Sequence, residues 1–237
     1  MEDKFVAKGV INKAPAKELL ASLTTDEQID AAMAELRAHW DYLLSAYTLT
    51  HGDEKLSRMV QVETISDRAK PEVEKFRSFH GLLRTLFPKV FAACEEVEID
   101  GNLLLKWKGQ TSKQPILLMS HMDVVEATGE WRHGPFSGDI ADGKVWGRGA
   151  ADTKCSLMAF FQSVEEMIGD GYTPECDVYL ASSCTEEIGG SGAPKLAGWL
   201  KEHGVKLFML CDEGGSIIQN PLGGVNGHYA AVGIFEK

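Results

Sequence analysis

Early in the chain apolar residues recur every three or four positions; past residue 97 they gather into short solid runs. Ile29, Met33, Leu36, Trp40, Leu43 and Tyr47 share one helical face. Just ahead of them, Thr24 with Glu27 and Thr25 with Gln28 form overlapping capping boxes, which satisfy the free N–H groups of a helix start. A second helix is predicted over 71–86, with Val73, Phe76, Phe79, Leu83 and Leu86 facing inward and Pro88 stopping it. From there the texture alternates. Residues 97–99, 103–107, 115–120, 178–182 and 206–211 read as strands. Residues 153–168 read as a helix with Leu157, Phe160, Phe161, Val164 and Ile168 inside, and 193–203 as another. Solid apolar strands alternating with amphipathic helices imply an α/β fold, a mostly parallel sheet flanked by helices. No internal repeat or low-complexity linker interrupts it.

Charge narrows the partners. Asp and Glu number 35 against 24 Lys and Arg, a net charge of −11. Such a surface repels phosphate backbones, which argues against nucleic acid and anionic membranes as partners, and it attracts divalent cations wherever carboxylates converge. No stretch approaches the roughly 20 apolar residues that span a bilayer. Met1-Glu2-Asp3-Lys4 does not open a signal peptide. Cys94, Cys155, Cys176, Cys184 and Cys211 are widely spaced and contain no C-x-x-C pair. That pattern argues against a disulfide scaffold or zinc ribbon and fits a reducing cytoplasm, the expected location.

The chemistry sits where apolar strands end. Ile116–Ser120 runs into His121-Met122-Asp123, Val178–Ser183 into Thr185-Glu186-Glu187, and Leu207–Cys211 into Asp212-Glu213. Asp152 follows Gly147-Arg148-Gly149 where the 153–168 helix should start. In open α/β sheets ligands bind in the crevice outside the carboxyl ends of the strands. Six acids and one imidazole meeting there repel one another unless a cation sits among them.

The roles divide on chemical grounds. His121 can ligate through one ring nitrogen while Asp123 accepts the N–H of the other. Asp152, alone in a Gly-flanked turn, suits a bridge between two cations. Of the adjacent Glu186 and Glu187, one ligates and the other stays free as a proton acceptor. Mixed imidazole and carboxylate ligands suit Zn, Mn or Co better than Ca or Mg. Taken singly, Asp152 is more readily a helix N-cap and the acid pairs solvated loop residues; their joint placement is what points to a metal site. Other motifs fail. The 147–152 segment lacks the third Gly of a dinucleotide fingerprint, and Ser191 is not in a G-x-S-x-G elbow.

These residues resemble the M20 family of co-catalytic metallopeptidases, in particular its carboxypeptidase S and aminoacylase-like branch. Leu117–Val125 is similar to the family's first metal motif. Trp131, Pro135–Gly138, Asp142-Gly143 and Trp146–Lys154 are similar to the approach to its bridging aspartate. Thr185–Gly190 resembles the Glu-Glu motif, Asp212–Gly215 the next ligand, and Val62–Ser66 an earlier segment with Glu63 where Pro is usual. The likeness covers roughly 55–237. It implies a di-metal catalytic domain carrying two zinc ions, with Mn or Co as substitutes. It further implies that His121 ligates one metal, Asp152 bridges both and Glu187 ligates the other. Asp123 would support His121, and Glu186 would be the general base on a metal-bridging water. Glu213 is favoured over Asp212 as a further ligand.

The implied reaction is hydrolysis of a peptide bond, of dipeptidase or carboxypeptidase type. The alternatives are an N-acyl-amino-acid hydrolase or an inactive metal-binding fragment. The substrates are accordingly small peptides or N-acyl amino acids. Family members resembling this chain continue into a small lid domain that can form a homodimer, and then supply a further histidine ligand. The sequence therefore reads as 1–228, an N-terminal part of the catalytic domain, and 229–237, the start of the lid. Little turnover is expected from these 237 residues alone.

Overall fold

The computed structural model describes residues 52–213, 217–219 and 227–230. The helix predicted through Ile29–Tyr47, the Gly214-Gly215 pair and residues 231–237 lie outside them.

Three helices lead into the sheet: α1 (Gly52–Val60), α2 (Val73–Leu86) and α3 (Pro88–Ala93). The first is absent from the sequence reading. Pro88 does stop α2, and it also starts α3, because a proline at the first helical position gives up an N–H that has no partner there. Then come β1 (Cys94–Ile99), β2 (Asn102–Trp107) and β3 (Thr111–His121). The β1–β2 hairpin turns at Asp100-Gly101, both at positive φ (50° and 85°), the twist that a two-residue hairpin demands. A Cβ on Gly101 would also stand 3.2 Å from Cys184 Sγ.

A small hairpin of β4 (Ile140–Ala141) and β5 (Lys144–Val145) precedes α4 (Lys154–Gly169). After it follow β6 (Cys176–Ser183), α5 (Gly192–Glu202) and β7 (Met209–Cys211). A separate ribbon pairs β8 (Ile217–Gln219) with β9 (His228–Ala230). The strand predicted over 206–211 is shortened to its last three residues.

The main sheet has the order β1-β2-β6-β3-β7. The strands β6, β3 and β7 are parallel, and β2 and β1 add an antiparallel edge. The α/β expectation holds, with that edge as its refinement. Alternation along the strands splits the core into two layers. Leu104, Leu117, Tyr179 and Ala181 pack on Leu196 and Leu200 of α5. Their neighbours Leu103, Leu105, Ile116 and Leu180 turn to the opposite side, where α4 brings Leu157, Phe161 and Val164. Phe87 and Phe161 meet there with ring centroids 5.4 Å apart. Burial of this kind contributes about 25 cal/mol per Å² of apolar area, so the parallel strands form a stiff platform whose carboxyl ends carry the polar residues.

Candidate metal centre

The sheet ladder sets the spacing of the centre. His121 ends β3 opposite Ser183 of β6, and the N–H of Met122 extends the pairing by donating to Ser183 O at 2.8 Å. The turn beyond is pinned from the other side. Thr64 Oγ1 donates to Met122 O at 2.6 Å, the Val124 N–H donates to Thr64 O, and the Ser66 N–H donates to Val124 O. His121 and Asp123 are consequently buried with almost no freedom.

His121 Nδ1 lies 2.9 Å from the backbone carbonyl of Asp123 and donates to it. The Asp123 carboxylate is farther, at 3.5 Å, where it supports the charged ring as expected, and it has a second job besides. Its two oxygens accept the backbone N–H groups of Glu186 and Glu187, each at 3.1 Å. Asp123 therefore holds the ring through its main chain and fixes the Glu-Glu turn through its side chain.

With Nδ1 spent as a donor, His121 Nε2 faces only oxygens. Asp152 Oδ1 is at 3.0 Å, Glu213 Oε1 at 3.3 Å and Glu186 Oε2 at 3.7 Å. One donor atom from each of His121, Asp152 and Glu213 lies within 4.8 Å of the other two. Glu187 stays outside that trio, though close enough to feel the Asp152 charge. Asp212 uses Oδ1 to accept the Glu213 N–H at 2.9 Å, so within the pair it is Glu213 that turns to the imidazole.

Sequence and fold comparisons point the same way. Residues 117–223 match peptidase family M20/M25/M40. The chain belongs to peptidase family M20. It is 37% identical over 186 residues to the N-fatty-acyl-amino acid synthase/hydrolase PM20D1.1 of Danio rerio, covering 75% of this chain and 36% of that protein. It is 36% identical over 198 residues to the probable carboxypeptidase S-like 2 of Dictyostelium discoideum, covering 78% of this chain and 38% of that one. Among solved structures, human carnosine dipeptidase 1 shares the fold with a TM-score of 0.56 at 21% identity, over 72% of this chain and 41% of its own. The M20 chain thus spans little more than a third of the length of the curated relatives it matches. Among its described residues no helix is long and apolar enough to cross a membrane.

The electrostatics test whether a cation fits this M20 chain. Burial works against a charge on His121, but Asp123 and Glu213 overcome it and lift the imidazole to about 10. Glu187 is raised by burial and by the Asp152 charge. Glu213 is raised by burial first, against the opposing pull of His121. A neutral Nε2 lone pair facing three carboxylate oxygens is repulsive, and either a proton or a metal ion between them removes the conflict. The donor set, one imidazole nitrogen and carboxylate oxygens, is that of a borderline divalent cation such as zinc.

Three supports escaped the sequence reading. Arg68 grips the Glu-Glu turn by donating to Ile188 O through Nε at 2.9 Å and through Nη2. Asn102 Oδ1 accepts the Cys184 N–H at 3.1 Å. Lys154 is fully buried at the start of α4. None had a signal in hydrophobic periodicity, because each acts on a backbone group far away in sequence.

Proposed function

We propose that this protein is a zinc-dependent amidohydrolase that cleaves the amide bond of small peptides or N-acyl amino acids. One observation carries the reading: a buried imidazole nitrogen faces carboxylate oxygens from three separate loops at 3.0 to 3.7 Å. Membership of a peptidase family and relatives named as carboxypeptidase S-like and N-fatty-acyl-amino acid hydrolase support the bond type.

His121, Asp152 and Glu213 would hold one metal ion, and Glu187 with Asp152 would serve a second. Zinc there supplies Lewis acidity toward a carbonyl oxygen and toward water. The protein's own residues do the rest. Glu186, half exposed and tethered through its backbone N–H to Asp123, takes the proton from water at Oε2 as the water oxygen bonds to the amide carbon. It then gives that proton to the leaving nitrogen as the C–N bond breaks, leaving a carboxylate and a free amine. The peptide and N-acyl substrates share all of these residues. The acyl reading is favoured by the Danio rerio relative's name, the peptide reading by the Dictyostelium one.

Zinc titration of the chain followed by calorimetry tests the site. Binding is expected for the native chain, and His121→Ala should weaken it by more than about 100-fold, beyond the loss typical of a supporting residue. Equal affinity in both would rule out His121 as a ligand.

A further inference from the structure

Among the described residues Lys154 is the only buried lysine, and no carboxylate pairs with it. Its Nζ donates to Met59 O at 3.0 Å, in the last turn of α1, and to Val62 O at 2.8 Å, two residues beyond that helix. Met59 O also accepts the Val62 N–H, and carbonyls at a helix end carry the negative end of its dipole, so a strong donor suits them. Lys154 Nζ also lies 5.1 Å from the centroid of the Phe79 ring. The stem is boxed in as well: a Cβ on Gly149, at φ +82°, would stand 3.4 Å from Lys154 Cδ and 2.6 Å from Val124 Cγ1.

The same stretch of main chain is held at two more points. The Lys154 N–H donates to Gly149 O at 3.0 Å, and Ser120 Oγ of β3 donates to Thr153 O at 3.1 Å. The Asp152 side chain, by contrast, is largely exposed, and its Oδ1 lies 3.0 Å from His121 Nε2. Where its carboxylate sits therefore depends on the backbone that follows it as well as on that contact.

We propose that Lys154 is a positioning residue for Asp152. By fastening the start of α4 to the end of α1, it holds the Asp152 carboxylate against His121 Nε2 and makes metal affinity depend on α1. This rests on the reading of His121, Asp152 and Glu213 as a metal site. The molecule carries its own control. Lys55, on the same helix, also ties α1 to α4, donating to Gln162 Oε1 at 2.6 Å and lying 4.6 Å from the Phe87 ring centroid, without touching the Asp152 turn.

The experiment is a titration of the chain with Co²⁺ alone, read by visible absorption and calorimetry, alongside thermal melts. Lys154→Met should weaken Co²⁺ binding at least about tenfold and alter the absorption bands, as loss of a supporting residue does. Lys55→Met should lower the melting temperature while leaving Co²⁺ affinity and spectrum as in the native chain. Native affinity and spectrum in Lys154→Met would overturn the proposal, as would an equal loss of affinity in Lys55→Met. Should Lys154→Met not fold, Lys154→Gln, which retains a donor, carries the same comparison. A native chain that takes up no Co²⁺ would instead bring down the metal-site reading beneath the proposal, and the proposal with it.

Discussion

At their side chains His121 and Asp123 are 2% and 0% exposed, whereas Asp152, Glu186 and Glu213 are 72%, 49% and 29% exposed. The imidazole side of the centre grows out of the β3–β6 ladder, and His121 Nδ1 and both Asp123 oxygens answer to backbone groups of the protein. The carboxylate side stands on loops and answers chiefly to the imidazole. Buried polar groups need internal partners and keep one geometry; half-exposed carboxylates can exchange partners with water, a cation or a substrate. The contrast separates what sets the geometry of the centre from what does its chemistry, and it can be attacked from either side.

The largest effect is expected on the exposed side. Glu186→Gln in the active enzyme, assayed on dipeptides and N-acyl amino acids with zinc, should lower turnover by about 10²–10⁴, the usual contribution of a general base. Zinc affinity should be unchanged, since the backbone N–H that Asp123 holds is untouched. Retained turnover would remove Glu186 from that role.

On the buried side Asp123→Asn replaces one accepting oxygen with an NH₂ group that cannot receive the Glu186 or Glu187 N–H. Zinc affinity measured by calorimetry should fall about 10- to 100-fold, and the metal-free chain should lose about 1–3 kcal/mol in chemical denaturation. An Asn variant as stable and as tight as the native chain would show that the Glu-Glu turn needs no anchor.

The smallest effect per step, a single pH unit, sharpens the link between the two sides. His121, held up at about 10 in the metal-free site, is an imidazolium at neutral pH, so zinc must displace its proton. Apparent zinc affinity should therefore rise by about tenfold per pH unit between pH 6 and 8. The stability of the metal-free chain should run the other way. A folded pKa above the unfolded value, about 6.5, gives stabilisation that is complete below pH 6.5 and lost as pH rises toward 10. Melting curves at pH 6 and pH 9, with and without zinc, would reveal both trends, and a pH-independent affinity would contradict the first.

How much of this was legible beforehand follows the same divide. The strands, and the acids at their carboxyl ends, could be read because solid apolar runs interrupted by charge leave a local pattern. The likeness of 117–125 and 185–190 to family motifs was legible for the same reason. The supports were not. Thr64, Arg68, Asn102 and Lys154 each bond to a backbone atom at least 58 residues away, a relation that no local period encodes. The double grip of Asp123 on the Glu186 and Glu187 N–H groups was missed likewise, since composition suggests that a carboxylate next to a histidine serves the ring. The antiparallel β1–β2 edge was read as strands without direction, because direction depends on the tight Asp100-Gly101 turn rather than on the runs themselves.

The pairing of His121 with Ser183 has a consequence for how this molecule can vary. From that pair, Asp123 lies two residues onward along one strand's exit, and Glu186 and Glu187 lie three and four along the other, so the span between them is counted in whole residues. Lengthening the surface stretch that carries the β4–β5 ribbon leaves the count unaltered, and loops of this kind accept added length at a cost that grows only logarithmically. A single residue added between Ile116 and Asp123, or between Val178 and Glu187, changes the count and turns alternate side chains to the wrong face of the sheet. The molecule can therefore gain new outer loops while its two strand exits stay fixed in length.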